Sequence, residues 1–336
     1  MPEIRQNIIT RQSVIIATER AQRPHEFSCA QKRRETLSAY VASCPFCPGN
    51  EAMTPGETFR LPAAKGSAAP WAVRAFPNKF AVLSAEGELK RTAVGIKRTI
   101  SGVGIHEVIV ETPDHSTNLA LMSDAEVEQV MEAYLQRYHA VLQDPRVEQV
   151  TLFKNHGPAA GTSLEHPHSQ LIGTPIIPSE VRERLETALH FYDDHGRCIF
   201  CTTLEDERKD GIRVVAENEH FIAFLPFAAL SPFHIWIFPT RHCASFGSLE
   251  EAEVPSLAGI LRRVLRKLYD GLNDPDYNFV IRTAPKESEQ VRYYHWYLSV
   301  VPRLTQTAGF ELGSGMFINI SLPEESARFL QSVAVE

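Results

Sequence analysis

The chain is organised around the segment Asn155-His156-Gly157-Pro158-Ala159-Ala160-Gly161-Thr162-Ser163-Leu164-Glu165-His166-Pro167-His168-Ser169-Gln170. A loop of small residues leads into two histidines separated by a single proline, and a predicted strand over residues 170–174 follows. Because alternate side chains of an extended segment share a face, His166, His168 and Gln170 can point into one pocket. Imidazole can act there as a base, a metal ligand or a nucleophile, and a structural histidine pair beside a turn is the alternative.

The composition is that of an ordinary folded protein and argues against some classes of partner. The 336 residues are enough for one large or two ordinary domains, and 43% of them are apolar. The formal net charge of −7 argues against a general nucleic-acid binder, because no basic surplus is available to neutralise phosphates. No apolar run approaches the roughly 20 residues of a membrane span, and the N-terminus lacks the apolar region of a signal peptide. We therefore expect a cytoplasmic protein without nucleic-acid or membrane partners.

The two halves of the chain have the same order of features, which indicates an internal repeat. Each half has a C-x-x-C pair, strand candidates that end near a histidine, a helical apolar periodicity that stops at an Asp-Pro pair, and two further strands. The spacing agrees, since His115 and His166 are 51 residues apart and His242 and His295 are 53 apart. We therefore predict an α+β fold of two tandem repeats, each an antiparallel sheet with a long packed helix. The N-terminal domain is expected over residues 1–178 and the C-terminal domain over residues 179–336.

Two S-x-x-E patterns predict where the long helices begin. The pattern Ser123 to Glu126 precedes the apolar periodicity of the first half, and Ser248 to Glu251 precedes that of the second. In such a capping box the serine hydroxyl accepts from the third backbone N–H of the helix, and the glutamate accepts from the serine N–H. An Asp-Pro pair ends each helix, and residues 179–195 are expected to form a charged helix between the halves.

The two C-x-x-C pairs indicate metal sites. In a reducing compartment such pairs are more often metal ligands or redox motifs than structural disulfides. Tetrahedral structural zinc takes four Cys or His ligands. The repeat supplies two such sets, which are Cys44, Cys47, His115 and His166, and Cys198, Cys201, His242 and His295. His234 competes with His242 for the second set, although the matched spacing favours His242. We expect two structural zinc ions, the first of which would also lock the loop that carries His168.

Two other interpretations of the cysteines are open. The thiols can be small buried hydrophobic groups with unrelated histidines elsewhere in the chain. A redox role would require a reactive thiol at a helix N-terminus, and it is disfavoured here because neither pair precedes a clear helical pattern.

Three motifs together resemble the galactose-1-phosphate uridylyltransferase family, a branch of the histidine-triad superfamily. They are C-P-F-C-P-G-N-E at residues 44–51, H-P-H-S-Q at residues 166–170 and G-F-E at residues 309–311, and the resemblance runs from about Arg20 to the C-terminus. It implies two histidine-triad-like repeats, and family members are commonly homodimers. It also implies that His168, the second histidine of H-P-H, attacks the α-phosphorus of a nucleoside diphosphate sugar and expels a hexose 1-phosphate. A second phosphate then takes the nucleotide from the nucleotidyl-imidazole.

The resemblance assigns further residues position by position. Gln170 matches an amide that donates to the phosphoryl oxygens, where charge develops during transfer. The other matches are Ser163, Asn155 and Gly161 for the phosphates, Arg20, Arg23 and Asn78 for the nucleotide and its phosphates, and Glu311 for a sugar hydroxyl. The usual donor and acceptor of the family are UDP-glucose and galactose 1-phosphate, which would place the protein in galactose metabolism.

Two departures from the uridylyltransferase pattern keep other functions open. Lys79 stands where the best-known uridylyltransferases have an acidic residue, and residues 312–319 lack their glutamine-containing hexose-binding segment. The latter segment is more similar to the ADP-glucose phosphorylase branch, whose members use inorganic phosphate. A nucleotide hydrolase would let water take the second step. A non-catalytic, zinc-stabilised nucleotide-binding module is the alternative from another class, but it would not need His168, Gln170 and Ser163 together.

Overall fold

A continuous sheet of ten strands forms the centre of the protein in the computed structural model, which describes residues 1–17, 27 and 37–335. In their order across the sheet, the strands are β10 (Val214–Glu217), β11 (Phe221–Phe224), β12 (Ile235–Pro239), β14 (Tyr297–Pro302), β13 (Tyr277–Arg282), β8 (Gln149–His156), β9 (His168–Thr174), β7 (Ile105–Val110), β4 (Val73–Pro77) and β3 (Phe59–Leu61). Each pair of neighbouring strands is antiparallel. The predicted α+β fold is confirmed, and the pairing of β13 with β8 joins the two expected sheets into one.

The two halves of this sheet repeat one strand order. Outward from the central pair, the first half runs β8, β9, β7, β4, β3 and the second half runs β13, β14, β12, β11, β10. Strand β9 therefore corresponds to β14, and β7 corresponds to β12. In the matched segments 166–170 and 295–299, Tyr297 stands where the first half has His168, and Ser299 stands where it has Gln170.

Helices cover the sheet on both faces. The described helices are α1 (Asp124–Leu142), α2 (Ser179–His195), α3 (Ile199–Asp210), α4 (Val254–Leu272), α5 (Gly309–Ser314) and α6 (Pro323–Ser332). The long helices α1 and α4 pack against each other and against one face of the sheet, and this contact forms the main hydrophobic core. Helices α2 and α3 contribute to a second core with outer strands of the second half. Helix α2 confirms the prediction for residues 179–195.

The beginning of α1 agrees with the sequence prediction, but the beginning of α4 does not. Ser123 and Glu126 form both hydrogen bonds of the capping box. In the second half, Glu250 and Glu253 form the box instead of Ser248 and Glu251, and α4 begins later than predicted. The reason is Pro255, which is tolerated in the first turn of a helix but would remove a hydrogen bond from the interior of a helix that began after Ser248.

Smaller elements complete the described chain. Strands β1 (Glu3–Gln6) and β2 (Ser13–Ile16) form a hairpin that β15 (Phe317–Asn319) extends in parallel with β2, and β5 (Arg91–Val94) pairs with β6 (Lys97–Ile100). Among the helices described here, none has the length and apolar character needed to cross a membrane.

The two serines of the predicted capping boxes offer a matched test of the helix starts. Ser123→Ala should lower the free energy of unfolding by about 1 kcal/mol, because it removes the side-chain acceptor at the N-cap of α1. Ser248→Ala should change it by less than about 0.5 kcal/mol, because Ser248 lies outside α4. Urea denaturation of both variants measures the difference, and equal losses would contradict this assignment of the cap.

Candidate active site and metal centres

The first predicted zinc set meets in a buried cluster. The ligand atoms of Cys44, Cys47, His115 and His166 all lie within 4.8 Å of one another. His166 Nδ1 is 3.7 Å from Cys44 Sγ and 3.6 Å from Cys47 Sγ. Since His166 Nε2 donates to the carbonyl oxygen of Thr112 at 2.8 Å, its Nδ1 carries the lone pair that faces the sulfurs. Two thiols and two imidazoles in this arrangement fit a tetrahedral zinc ion.

A tight turn brings the two cysteines of this cluster together. The Cys47 N–H donates to the Cys44 carbonyl oxygen, and the Asn50 side chain donates to the same oxygen at 2.8 Å. Buried Arg74 of β4 donates to the carbonyl oxygen of Pro45 at 3.0 Å and thereby ties the turn to the sheet. The proline and glycine residues of C-P-F-C-P-G-N suit such a turn, which is why the sequence alone could predict it.

Three members of the second predicted set also meet. The ligand atoms of Cys198, Cys201 and His242 lie within 4.8 Å of one another, and His242 Nδ1 is 3.2 Å from Cys201 Sγ. His234 is engaged elsewhere, since its Nε2 lies 2.8 Å from Ser299 Oγ. Of the two competing histidines, the structure therefore places His242 with the thiols.

His295 does not belong to this three-residue group. Its ring centroid lies 5.5 Å from that of His242, and its Nδ1 donates to the carbonyl oxygen of Trp296 at 2.8 Å. Its Nε2 is buried and has no hydrogen-bond partner among the residues that the structure describes. An unsatisfied buried nitrogen is uncommon, and a metal bond is one way to satisfy it. The assignment of His295 as the fourth ligand stays a prediction.

The second C-x-x-C pair begins a helix, so the expectation that neither pair precedes one was wrong. Cys198 is the N-cap of α3, and Cys201 lies in the first turn. The helix escaped prediction because it has few apolar residues and a charged C-terminal half. A hydrogen bond with Cys201 lowers the pKa of Cys198 most. Burial raises this pKa and a hydrogen bond with His242 lowers it again, so that it lies at about 5. The case for a metal therefore rests on the proximity of His242 and not on the absence of a helix.

His168 is the first residue of β9, and its ring is held in a single tautomer. The Nδ1–H donates to the carbonyl oxygen of His166 at 2.8 Å, so Nε2 carries an unprotonated lone pair. The acceptor is thus a backbone carbonyl of the segment that leads into β9. Burial lowers the pKa of His168, which favours the neutral ring. The imidazole packs against the ring of Phe46 of the cysteine turn in an edge-to-face arrangement, with ring centroids 5.2 Å apart.

A buried ion pair supports the backbone at His168. Lys154 Nζ lies 2.6 Å from Glu111 Oε2 and donates to the carbonyl oxygen of His168 at 3.1 Å. The hydroxyls of Tyr134 and Ser169 both donate to the other oxygen of Glu111 at 2.6 Å. Burial would raise the pKa of Glu111, but the ammonium of Lys154 lowers it and keeps the carboxylate charged. Local sequence patterns did not predict this network, although a lysine on β8 and a glutamate directly after β7 are visible signals of a buried ion pair.

A cavity of about 1090 Å³ opens beside His168. Of the predicted site residues in the described chain, its lining includes His168, Asn155 and Ser163 together with three of the four residues of the first Cys/His cluster. Gly161 lies in the same loop with a φ of +87°, a conformation that glycine adopts without strain.

Among the described residues, Gln170, Asn78 and Glu311 are predicted site residues that do not line this cavity. Gln170 faces the same side of β9 as His168, and Asn78 Nδ2 lies 3.4 Å from its Oε1. Glu311 accepts from the N–H of Ala308 at 3.0 Å and so caps its own short helix α5. Arg20 and Arg23 lie outside the described residues.

The second half of the chain holds the loop that precedes His168. Asn278 of β13 donates to Asn155 Oδ1 at 2.8 Å and to the carbonyl oxygen of Ala160 at 2.9 Å. Asp276 accepts from the N–H of Ala159, and the side chains of His156 and Asp274 meet at 2.9 Å. These contacts follow from the pairing of β13 with β8. No local pattern in the sequence signals them, because the partners lie more than 100 residues apart.

Comparisons with known proteins agree with this doubled fold. The family model for the N-terminal domain of galactose-1-phosphate uridyl transferase matches residues 1–178, and the model for its C-terminal domain matches residues 184–312. An ADP-glucose phosphorylase of Arabidopsis thaliana is 35% identical over 338 residues, which cover 99% of this chain and 93% of that protein. A galactose-1-phosphate uridylyltransferase of Thermotoga maritima is 32% identical over 242 residues, which cover 69% of this chain and 75% of that protein.

Solved structures show the same similarity. The crystal structure of an ADP-glucose phosphorylase from Arabidopsis thaliana with bound ADP-glucose matches with a TM-score of 0.82 and 32% identity over 100% of both chains. A uridylyltransferase structure matches with a TM-score of 0.74 and 26% identity over 99% of this chain and 98% of that one. The fold thus defines a two-domain α+β protein whose halves repeat one strand order. The chain belongs to the galactose-1-phosphate uridylyltransferase family, and it is an enzyme of that family.

Metal analysis of paired cysteine variants tests the two clusters. We expect about two zinc ions per chain from four-ligand Cys/His sites. Cys47→Ser and Cys201→Ser should each lose about one of them, because each removes a thiol from a different cluster. Elemental analysis after gel filtration gives the stoichiometry. Wild-type protein with almost no zinc, or a loss of both ions in each variant, would contradict two independent sites.

Removal of Lys154 tests the buried ion pair. Lys154→Met should lower the free energy of unfolding by about 3–5 kcal/mol, because it leaves the carboxylate of Glu111 buried without its cation. The double variant Lys154→Met, Glu111→Gln should lose less than the sum of the two single losses, because both charges are then absent. Urea denaturation of the three variants supplies the cycle, and strictly additive losses would speak against direct coupling.

Proposed function

We propose that the protein transfers an adenylyl group from ADP-glucose to inorganic phosphate through a covalent bond to His168 Nε2. The observation that carries this proposal is the hydrogen bond from His168 Nδ1 to the carbonyl oxygen of His166. It leaves Nε2 neutral and bare on a residue that lines the large cavity. An imidazole in this state is nucleophilic near neutral pH without the help of a separate base.

The proposed reaction has two displacements at the α-phosphorus. In the first, the Nε2 lone pair forms an N–P bond, the bond from phosphorus to the bridging oxygen breaks, and glucose 1-phosphate leaves with that electron pair. In the second, an oxygen of inorganic phosphate attacks the same phosphorus and the N–P bond breaks. This step releases ADP and returns the electron pair to Nε2, so the imidazole acts as a carrier and the kinetics are ping-pong.

Three polar side chains are proposed to act on the phosphates. Asn155 accepts from Asn278 at its Oδ1, so its amide nitrogen is the end available to donate to a phosphate oxygen. Exposed Ser163 can donate from its hydroxyl in the same cavity. Gln170, next along the face of β9, can stabilise charge that develops on the phosphoryl oxygens. Arg20, Arg23 and Asn78 for the nucleotide, and Glu311 for the sugar, remain proposed ligands by resemblance.

The first metal centre is proposed to position the nucleophile. Zinc bound there would hold the side chain of His166, whose carbonyl oxygen orients the His168 ring. His166 therefore links the two functions, through its side chain and its main chain. The second centre would anchor the start of α3, at a distance from the proposed reaction.

The choice of donor rests on similarity. The relatives that match nearly the whole chain include a protein named ADP-glucose phosphorylase, and a solved structure of such an enzyme matches over its full length. Lys79 and the segment 312–319 both depart from the uridylyltransferase pattern, and the segment 312–319 resembles the ADP-glucose phosphorylase branch. The second candidate is transfer of a uridylyl group between UDP-glucose and galactose 1-phosphate, which the family models and the Thermotoga maritima relative favour. We further propose a cytoplasmic homodimer whose two repeats divide between residues 178 and 179.

Covalent labelling separates these candidates. Protein incubated separately with ADP-glucose and UDP-glucose, each carrying ³²P at the α-phosphorus, should take up acid-labile label from the preferred donor. We expect stronger labelling by ADP-glucose, and release of the label as ADP on addition of inorganic phosphate. His168→Gly should take up almost no label, because it lacks the accepting nitrogen.

Each other outcome has a distinct meaning. Labelling by UDP-glucose, with release by galactose 1-phosphate, would establish the second candidate. Loss of label to water at the same rate without any acceptor would indicate a hydrolase. Undiminished labelling of a correctly folded His168→Gly variant would remove His168 as the nucleophile.

A further inference from the structure

We propose that His106 is a positioning residue that fixes the side-chain amide of Gln170 with its nitrogen available to the transferring phosphoryl group. His106 lies on β7 next to β9, and its Nε2 is 2.9 Å from Gln170 Oε1. The proposal rests on the proposed function, because it requires Gln170 to contact the phosphoryl oxygens.

The tautomer of His106 follows from a backbone contact. The N–H of Val82 donates to His106 Nδ1 at 3.2 Å, so Nδ1 must carry a lone pair. In a neutral imidazole the proton is then on Nε2, which donates to Gln170 Oε1. Burial lowers the pKa of His106, in keeping with a neutral ring. The contact therefore holds the oxygen end of the amide and leaves the nitrogen end as a donor.

The contact with Asn78 independently indicates that the oxygen of the Gln170 amide is the acceptor. The N–H of Phe80 donates to Asn78 Oδ1 at 2.8 Å, which makes Nδ2 the donating end of that side chain. This Nδ2 lies 3.4 Å from Gln170 Oε1. In both His106 and Asn78, a backbone N–H, which can only donate, occupies the acceptor atom and so identifies the other nitrogen as the donor. Both donors converge on one oxygen of Gln170. The two donor atoms, Asn78 Nδ2 and His106 Nε2, lie 3.1 Å apart because both approach the same acceptor.

The second half of the chain contains the same histidine without the catalytic glutamine. His234 precedes β12, the counterpart of β7, and its Nε2 lies 2.8 Å from Ser299 Oγ on the counterpart of β9. The N–H of Leu230 approaches its Nδ1 at 3.4 Å, but the indole N–H of Trp236 donates to its Nε2 at 3.1 Å, so this nitrogen is an acceptor and the polarity of His106 is not repeated. A histidine that bridges these two strands is therefore part of the repeated scaffold. In the first half alone, its partner is a long amide beside the proposed nucleophile.

Orientation of this amide has a direct chemical consequence. If Gln170 turned by 180° about its last torsion, it would present a carbonyl oxygen to the negatively charged phosphoryl oxygens. Loss of one donor to developing charge commonly lowers kcat by about 100- to 1,000-fold. Loss of the group that only orients the donor should have a smaller effect. We expect about a 10- to 100-fold slower first displacement, with the dissociation constant of the donor changed less than about threefold.

Three histidine variants test the inference. His106→Asn keeps an acceptor near Nδ1 for Val82 but removes the donor to Gln170, whereas His106→Gln can retain a donor near Nε2. His234→Asn makes the same change in the second half and serves as the matched structural control. The measurement is single-turnover uptake of ³²P by His168 from α-labelled ADP-glucose at several donor concentrations, with zinc content as a check of folding. The rate should fall in His106→Asn, recover largely in His106→Gln and stay near the wild-type value in His234→Asn.

A double variant completes the test. The rate of His106→Asn, Gln170→Ala should equal that of Gln170→Ala alone, because His106 acts through the amide that is already absent. A further loss in the double variant, or equal losses in His106→Asn and His234→Asn, would overturn the inference. Normal uptake by His106→Asn would overturn it while leaving the proposed function intact. Failure of the wild-type protein to take up label from either nucleotide sugar would overturn both.

Discussion

The hydrogen bond from His168 Nδ1 to the carbonyl oxygen of His166 is the interaction on which the site depends. It selects one tautomer of a buried imidazole and thereby decides which nitrogen carries the lone pair. The acceptor belongs to a residue whose own side chain lies in the first Cys/His cluster. An ordered Cys/His cluster therefore fixes the position of the His166 carbonyl oxygen, and this oxygen orients the His168 ring. A helix or an exposed loop would not couple the two histidines in this way, because only an extended backbone puts alternate side chains on one face.

The pairing of β13 with β8 gives the second half a part in the site of the first. The side chains of Asn278 and Asp276, both in the second half, bind the loop around Ala160. Asn278 also orients Asn155. The equivalent face of the second half is filled instead of open. Tyr297, at the position of His168, stacks on Phe238 with ring centroids 4.8 Å apart, and α3 brings Phe200 against it. One repeat is thus organised around a cavity, and the matching position of its counterpart is packed with aromatic rings.

Both polar clusters beneath the site follow one rule, that a buried polar group keeps its partners. Glu111 accepts from Lys154, Tyr134 and Ser169, which offsets the loss of hydration of a carboxylate in the core. Gln170 satisfies its oxygen with His106 and Asn78. In each case the surrounding donors determine where the group points. Rigid orientation of this kind lowers the reorganisation needed when charge develops during a reaction.

The sequence by itself determined the α+β class, the doubled plan and the composition of the first Cys/His cluster. Periodicity and turn chemistry are local, and two copies of one pattern can be compared without knowledge of the fold. It also located the start of α1 at Ser123, whereas Pro255 moved the start of α4 away from Ser248. Helix α3 escaped because its tertiary contacts, and not its own periodicity, stabilise it.

Only the tertiary structure decided which partners meet across strands. From the sequence, both His234 and His242 were candidates for the second metal site. In the fold, His234 contacts Ser299 and His242 contacts Cys201. It likewise brought His106 to Gln170 across the β7–β9 pair. Such contacts depend on the register of strands that are far apart in the chain, and a shift of one residue would turn every side chain to the other face. Local patterns carry no record of that register, which is set when the whole sheet packs against α1 and α4.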